Sequence, residues 1–199
     1  MPSRSRLIFA LTVVLIALAL GIGALSLMRP PLFNPGKALI GGPFTLTDQT
    51  GQRVSERDFA GRYMLVIFGY TFCPDVCPGE MQVVSAALDQ LGAQAAQVHP
   101  VFVTVDPERD TPEVMKIFVE NFHPGFSGLT GSPAEIAVML KAYRVAARKI
   151  ENAKRPADYL MEHTALIYLI GPDGGYVTHF DYGTDAAKLA GEIKAALAR

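Results

Sequence analysis

The alternation of apolar and polar positions divides the chain into a charge-free block, a proline-rich break and a patterned remainder. Leu7 to Leu27 carries no charge, and its most polar members are Thr12 and Ser26. As a helix rising about 1.5 Å per residue, such a block reaches roughly 30 Å, the depth of a bilayer core. A helix buried in a soluble core normally keeps a polar face. A cleaved leader has a shorter apolar stretch, about 7–15 residues. Gly23, Ala24 and Ser26 imitate a cleavage site, but the length favours an uncleaved anchor. The break that follows, Arg29-Pro-Pro-Leu-Phe-Asn-Pro-Gly36, forbids regular structure.

Beyond it the periods shorten. Phe44 to Thr47 and Arg53-Val54 flank Asp48-Gln-Thr-Gly51 and predict an opening hairpin. Tyr63 to Gly69 is almost wholly apolar, as a central strand covered on both faces should be. Met81, Val84, Leu88 and Leu91 share one side of a helix from about Pro78 to Leu91. Val98 to Asp106 reads as a second buried strand. Thr111-Pro112-Glu113 and Ser132-Pro133-Ala-Glu135 each open a helix, the second with a capping box. Thr164 to Ile170 and Tyr176 to Phe180 surround the turn Gly171-Pro-Asp-Gly-Gly175, and Thr184 or Asp185 caps a last helix to about Leu197. Strands alternating with helices and ending in an antiparallel pair predict an α/β mixed sheet with helices on both faces. That is the thioredoxin-like arrangement, with an added N-terminal hairpin and an inserted helix, preceded by one transmembrane helix. The expected organisation is a cytoplasmic tail at 1–6, an anchor at 7–28, a linker at 29–40 and the domain at 41–199.

Charge adds orientation. Arg4, Arg6 and the amino terminus precede the span, and only Arg29 closely follows it, which places the tail in the cytoplasm. The tail is too short for a mitochondrial presequence. A bacterial inner membrane crossed once, with the domain in the periplasm and the first helix in the lipid bilayer, fits best. The net charge of −1 comes with no basic stripe, which excludes nucleic acid as the expected partner.

The chemistry concentrates in Gly69-Tyr-Thr-Phe-Cys73-Pro-Asp-Val-Cys77-Pro, where a central strand passes into a helix. The 2 cysteines are too few for a disulfide scaffold. On one helical turn their sulfurs share a face, with Cα atoms about 6 Å apart, suiting either a disulfide or two thiolates on one ion. The helix N-terminus favours the thiolate. Soft thiolates select Cu(I) among copper states and over oxygen-loving ions; Cu(II) stays open. His163 precedes the strand Thr164 to Ile170, where thioredoxin-like folds bring a loop against the cysteine turn. Oxidoreductases of that fold carry a cis-proline there, whereas Met161-Glu-His-Thr164 offers a third ligand in its place.

The runs GYTFCPDVCP, TVDPERDTP, GLTGS, YRV and HTALIYLIGPDG, in that order, resemble the Sco/SenC proteins, copper-binding factors for cytochrome c oxidase assembly. The resemblance runs from Gly42 to the last helix and implies copper ligation by Cys73, Cys77 and His163. It implies a copper chaperone, not an enzyme, with the oxidase's copper-binding subunit as target and a periplasmic copper donor. Glu162 stands where the family often has Asp, so charge before the histidine is retained. A second reading is a thiol-disulfide reductase that uses Cys73 and Cys77 as a redox-active pair to prepare the oxidase's own cysteines. A peroxidase comes last, because no arginine for peroxide is evident. Asp106 and Asp110 are expected to form a turn with Arg109 as partner, and Asp75 to cap or solvate the loop. Met81 and Met115 read as core, and Met161 as a remote candidate ligand. His99, His123 and His179 read as surface or locally hydrogen-bonded groups.

Overall fold

The computed structural model describes residues 40–155 and 158–198. The expected tail and anchor, and the linker up to residue 39, lie outside these residues. Among the described residues no helix is long and apolar enough to cross a membrane.

Strands β1 (Thr45–Asp48) and β2 (Arg53–Ser55) form the opening hairpin, antiparallel with Leu46 opposite Val54. Asp48 closes its turn by accepting from the amides of Thr50 and Gln52, at 2.8 and 3.0 Å. A 3₁₀ turn, Glu56–Phe59, leads to β3 (Tyr63–Gly69), α1 (Val76–Leu91) and β4 (Val98–Thr104). Then come α2 (Pro112–Val119), β5 (Ser127–Thr130), α3 (Pro133–Tyr143), β6 (Ala147–Ile150) and β7 (Leu160–His163). The chain ends through β8 (Leu166–Ile170), β9 (Tyr176–Asp181) and α4 (Ala186–Leu197). The seven-stranded sheet has the order β2-β1-β5-β4-β3-β8-β9, and β6-β7 stands apart as a two-stranded hairpin. β3, β4 and β5 run parallel, while β8 joins β3 antiparallel.

The apolar run of β3 is explained by its place at the middle of this sheet. Met64 to Phe68 are all buried, because both faces are covered. Successive side chains alternate faces. Phe68 meets Tyr143 of α3, with ring centroids 5.3 Å apart. A Cβ on the next residue, Gly69, would fall on the Cys77 sulfur of α1, so α1 lies on the opposite face. α4 packs on α1's face: the Tyr63 hydroxyl donates to the Ala196 carbonyl at 2.8 Å. α2 joins them through Phe102 and Phe118, 5.0 Å apart. The predicted stripe Met81, Val84, Leu88 and Leu91 is wholly buried. Each such side chain contributes about 1.5–3 kcal/mol by leaving water.

The predicted caps are present. Thr111 accepts from the Val114 amide, Ser132 forms its capping box with Glu135, and Asp185 caps α4 by accepting from the Lys188 amide. Thr184 does not cap that helix; its hydroxyl donates to the Asp181 carbonyl. Three strands go beyond the predicted order: β5 between α2 and α3, and the β6-β7 hairpin. Each is only 4 residues long, too short for a period to declare itself. One placement is refined: Thr164 and Ala165 precede the strand, which begins at Leu166, and His163 ends β7.

Candidate metal centre

The site forms where β3 ends. Tyr70 is buried and Phe72 is 52% exposed, so the loop dips into the core and then surfaces before Cys73. Asp110, itself fully buried, pins this loop. It accepts from the Thr71 amide at 3.1 Å, the Thr71 hydroxyl at 2.5 Å and the Thr104 hydroxyl at 2.5 Å. Burial raises the Asp110 pKa, and the bonds from Thr104 and Thr71 counter it. Gly69 has no side chain because there is no room for one: a Cβ would lie 2.7 Å from the Phe102 ring and 2.9 Å from the Cys77 sulfur.

Cys73 is half-buried and Cys77 buried, both as free thiols. The first amides of α1 point at the outer sulfur, and the Cys77 amide donates to Cys73 Sγ at 3.4 Å. The bond between the two sulfurs favours charge on Cys73. It lowers the Cys73 pKa, helped by the amides of Cys77 and Asp75, against the cost of burial. The same bond, with burial, raises that of Cys77.

His163 arrives from the detached hairpin, whose last pair is Ala147 with His163. Its Nε2 lies 3.8 Å from Cys77 Sγ. Its Nδ1 is 3.0 Å from the Thr164 carbonyl, an atom that only accepts. The proton therefore sits on Nδ1, and the Nε2 lone pair faces the sulfur. The Tyr70 ring meets the imidazole edge-on at 6.2 Å. A cleft of about 360 Å³ is lined by Cys73, Met161, Glu162, His163 and Tyr182, among others. Among the described residues no group of three or more His, Cys, Asp or Glu side chains is already gathered around an ion-sized space. Instead, Cys77 Sγ neighbours both the Cys73 sulfur and His163 Nε2. Two soft sulfurs beside one imidazole form a donor set suited to copper.

The remaining candidates divide. Glu162 lines the cleft but its carboxylate is taken by Arg148 across the hairpin. Met81 and Met115 are core, while Met161 lines the cleft. His99 Nε2 is 2.8 Å from the Ser127 hydroxyl, His123 accepts from the Gly125 amide, and His179 bonds Tyr176. The expected turn is present: the Arg109 and Asp110 amides donate to the Asp106 carbonyl, and Arg109 Nε donates to the Asp106 carboxylate. Asp106 is in addition buried, and Arg109 also lies against the loop aromatics. Glu80, also buried, was missed: neither carboxyl oxygen has a hydrogen-bond partner, and burial first, then the charge of Cys73, raises its pKa to about 7.

A family profile described as SCO1/SenC matches residues 34–198. The chain is 40% identical over 168 residues to the mitochondrial SCO1 homolog of Homo sapiens, covering 82% of this chain and 53% of that protein. It spans about half the length of the first curated relatives it matches, but 92% of the SCO2-like protein RP587 of Rickettsia prowazekii, at 37% identity over 89% of this chain. The structure of Bradyrhizobium japonicum ScoI with copper bound matches with a TM-score of 0.73 and 45% identity, covering 78% of this chain and 98% of that one. A structure of BsSco, described as having a disulfide switch and as a member of the Sco family of cytochrome c oxidase assembly proteins, matches with a TM-score of 0.62 and 27% identity. It is covered to 98%, and this chain to 82%. On these matches, and with this thioredoxin-like fold, the chain belongs to the SCO1/SenC family.

Proposed function

We propose that this protein takes up copper through Cys73, Cys77 and His163 and delivers it to the copper-binding subunit of cytochrome c oxidase. The observation that carries this reading is the imidazole Nε2 lone pair set 3.8 Å from the Cys77 sulfur. A pure disulfide-exchange site has no use for it. Copper is cargo here. The thiolates supply soft donors, and His163 adds a third that Thr164 holds in the donating tautomer. The half-buried Cys73 is the sulfur an incoming ligand from a donor or target reaches first. The copper-bound Bradyrhizobium relative and the oxidase-assembly description of BsSco support the cargo and the destination. Residues 7–28 tether the domain on the periplasmic side of a bacterial inner membrane, a reading supported by the charge-free span and by the match to a Bacillus anthracis SCO1/SenC family lipoprotein.

A second reading is favoured by the asymmetry of the thiols. A half-buried sulfur carrying the charge beside a fully buried protonated one is the layout of an exchange pair. Cys73 thiolate would attack a disulfide in the target. Cys77 would then lose its proton and displace the target as a dithiol, leaving Cys73–Cys77 oxidised. One experiment separates the readings: anaerobic Cu(I) titration of the reduced protein, with His163→Ala in parallel, and oxidase activity in cells at limiting copper. Delivery predicts that His163→Ala holds copper at least about 10-fold less tightly and that oxidase assembly fails nearly as in Cys73→Ser. Near-normal oxidase activity in the His163→Ala strain would instead assign the reductase.

A further inference from the structure

The third ligand comes from a hairpin that shares no strand pairing with the main sheet, whereas the thiols sit at the end of the central strand. Something must hold the two in register. Beside the Tyr70–His163 ring contact, one charged side chain bridges them. Arg109, between β4 and α2, has its guanidinium carbon 3.6 Å from the ring centre of Tyr159, just before β7, and 4.6 Å from that of Phe72, the neighbour of Cys73. The buried Tyr70 ring, which meets His163 edge-on, lies 5.7 Å away. Arg109 Nη1 donates to the Tyr159 carbonyl at 3.0 Å. Its Nε donates to Asp106 Oδ2, while the Tyr159 hydroxyl donates to Asp106 Oδ1 at 2.8 Å. Asp106 and Tyr159 are both buried.

We propose that Arg109 is the positioning residue of the copper site, clamping the dithiol loop to the histidine strand so that His163 meets the thiolates. The inference rests on the copper reading above and touches no ligand directly. A guanidinium suits the task because one planar group stacks on rings from both segments and still directs separate N–H groups at a carboxylate and a carbonyl. A lysine ammonium cannot. Asp106 sets the orientation of the plane, and Tyr159, bonded to both, completes the bridge.

The test uses the full chain in detergent micelles, reduced and copper-free, as wild type, His163→Ala, Arg109→Ala, Arg109→Lys and the Arg109→Ala/His163→Ala double variant. Each is loaded with Cu(I) and challenged with a chromophoric Cu(I) chelator, and X-ray absorption counts nitrogen and sulfur neighbours of the metal. Arg109→Ala should lose the nitrogen neighbour, keep both sulfurs and hold copper about 10-fold less tightly. The double variant should be no weaker than either single one, because both changes remove the same ligand. Arg109→Lys should resemble Arg109→Ala; it carries the comparison if circular dichroism shows Arg109→Ala unfolded. Wild-type copper retention in the Arg109 variants beside a clear loss in His163→Ala overturns the clamp alone. Additive losses in the double variant also overturn it. Wild-type retention in His163→Ala overturns the ligand reading, and the clamp with it.

Discussion

The Cys73 sulfur receives hydrogen bonds from the amides at the start of α1, while Cys77 lies fully buried under Gly69 and donates to its neighbour. Negative charge therefore collects on Cys73 and is resisted on Cys77. In the copper-free reduced protein at pH 7, a short pulse of iodoacetamide should alkylate Cys73 first, with Cys77 modified at least about 10-fold more slowly. Peptide mass spectrometry reads the ratio. Equal labelling, or Cys77 ahead, would contradict the arrangement of the pair. The two cysteines were legible as candidates from residue type and spacing, and His163 from its place before a strand and from the family resemblance. Their asymmetry was not, since burial and amide direction belong to the folded loop. Arg109 was legible as the partner of Asp106, but its stacking on the loop aromatics was not, and Glu80 was hidden altogether, since no spacing announces what it meets.

At the scale of elements, the site is the meeting of a strand end, a helix start and a detached hairpin. Asp110 fastens the loop between the first two to the end of β4. Asp110→Ala would leave the Thr71 amide and the Thr71 and Thr104 hydroxyls without their acceptor, at a cost of about 1–3 kcal/mol. Urea unfolding should show this as a lower midpoint at unchanged slope; an unchanged midpoint would mean the threonines find other acceptors. The long elements were readable because β3 and α1 repeat a period over many residues, and the caps Thr111, Ser132 and Asp185 act on amides only a few residues away. β5, β6 and β7 were not. Their pairing partners lie far along the chain or across a loop, and β6 is mostly exposed, so no apolar alternation marks it.

At the scale of the whole molecule, pH acts through groups that folding buries. Burial, helped by the nearby Arg62 charge, holds the His99 imidazole down to about 4 from its ordinary 6.5. Between those values the unfolded chain binds the extra proton, so this contribution is complete above about pH 6.5 and is lost as pH falls to about 4. Glu80 acts oppositely: its carboxyl is raised from 4.5 to about 7, so the folded state binds the proton and stability falls as pH rises across that window. The two partly cancel in the wild type. His99→Gln removes the titration while keeping a hydrogen-bonding group for Ser127. Its unfolding free energy should lose less than the wild type's on acidification from pH 6.5 to 4, and parallel curves would contradict the assignment.

By itself the sequence determined the order of the long elements, the caps, the buried stripe of α1 and the chemical nature of the site. Each of these depends on a residue's own side chain or on neighbours within a few turns. Only the tertiary structure decided that His163 rides on a hairpin outside the sheet, that Asp110 and Arg109 hold the cysteine loop, and that Gly69 leaves room for a sulfur. Those facts are contacts between residues distant along the chain, and they come into being only when the central sheet brings its strand ends together.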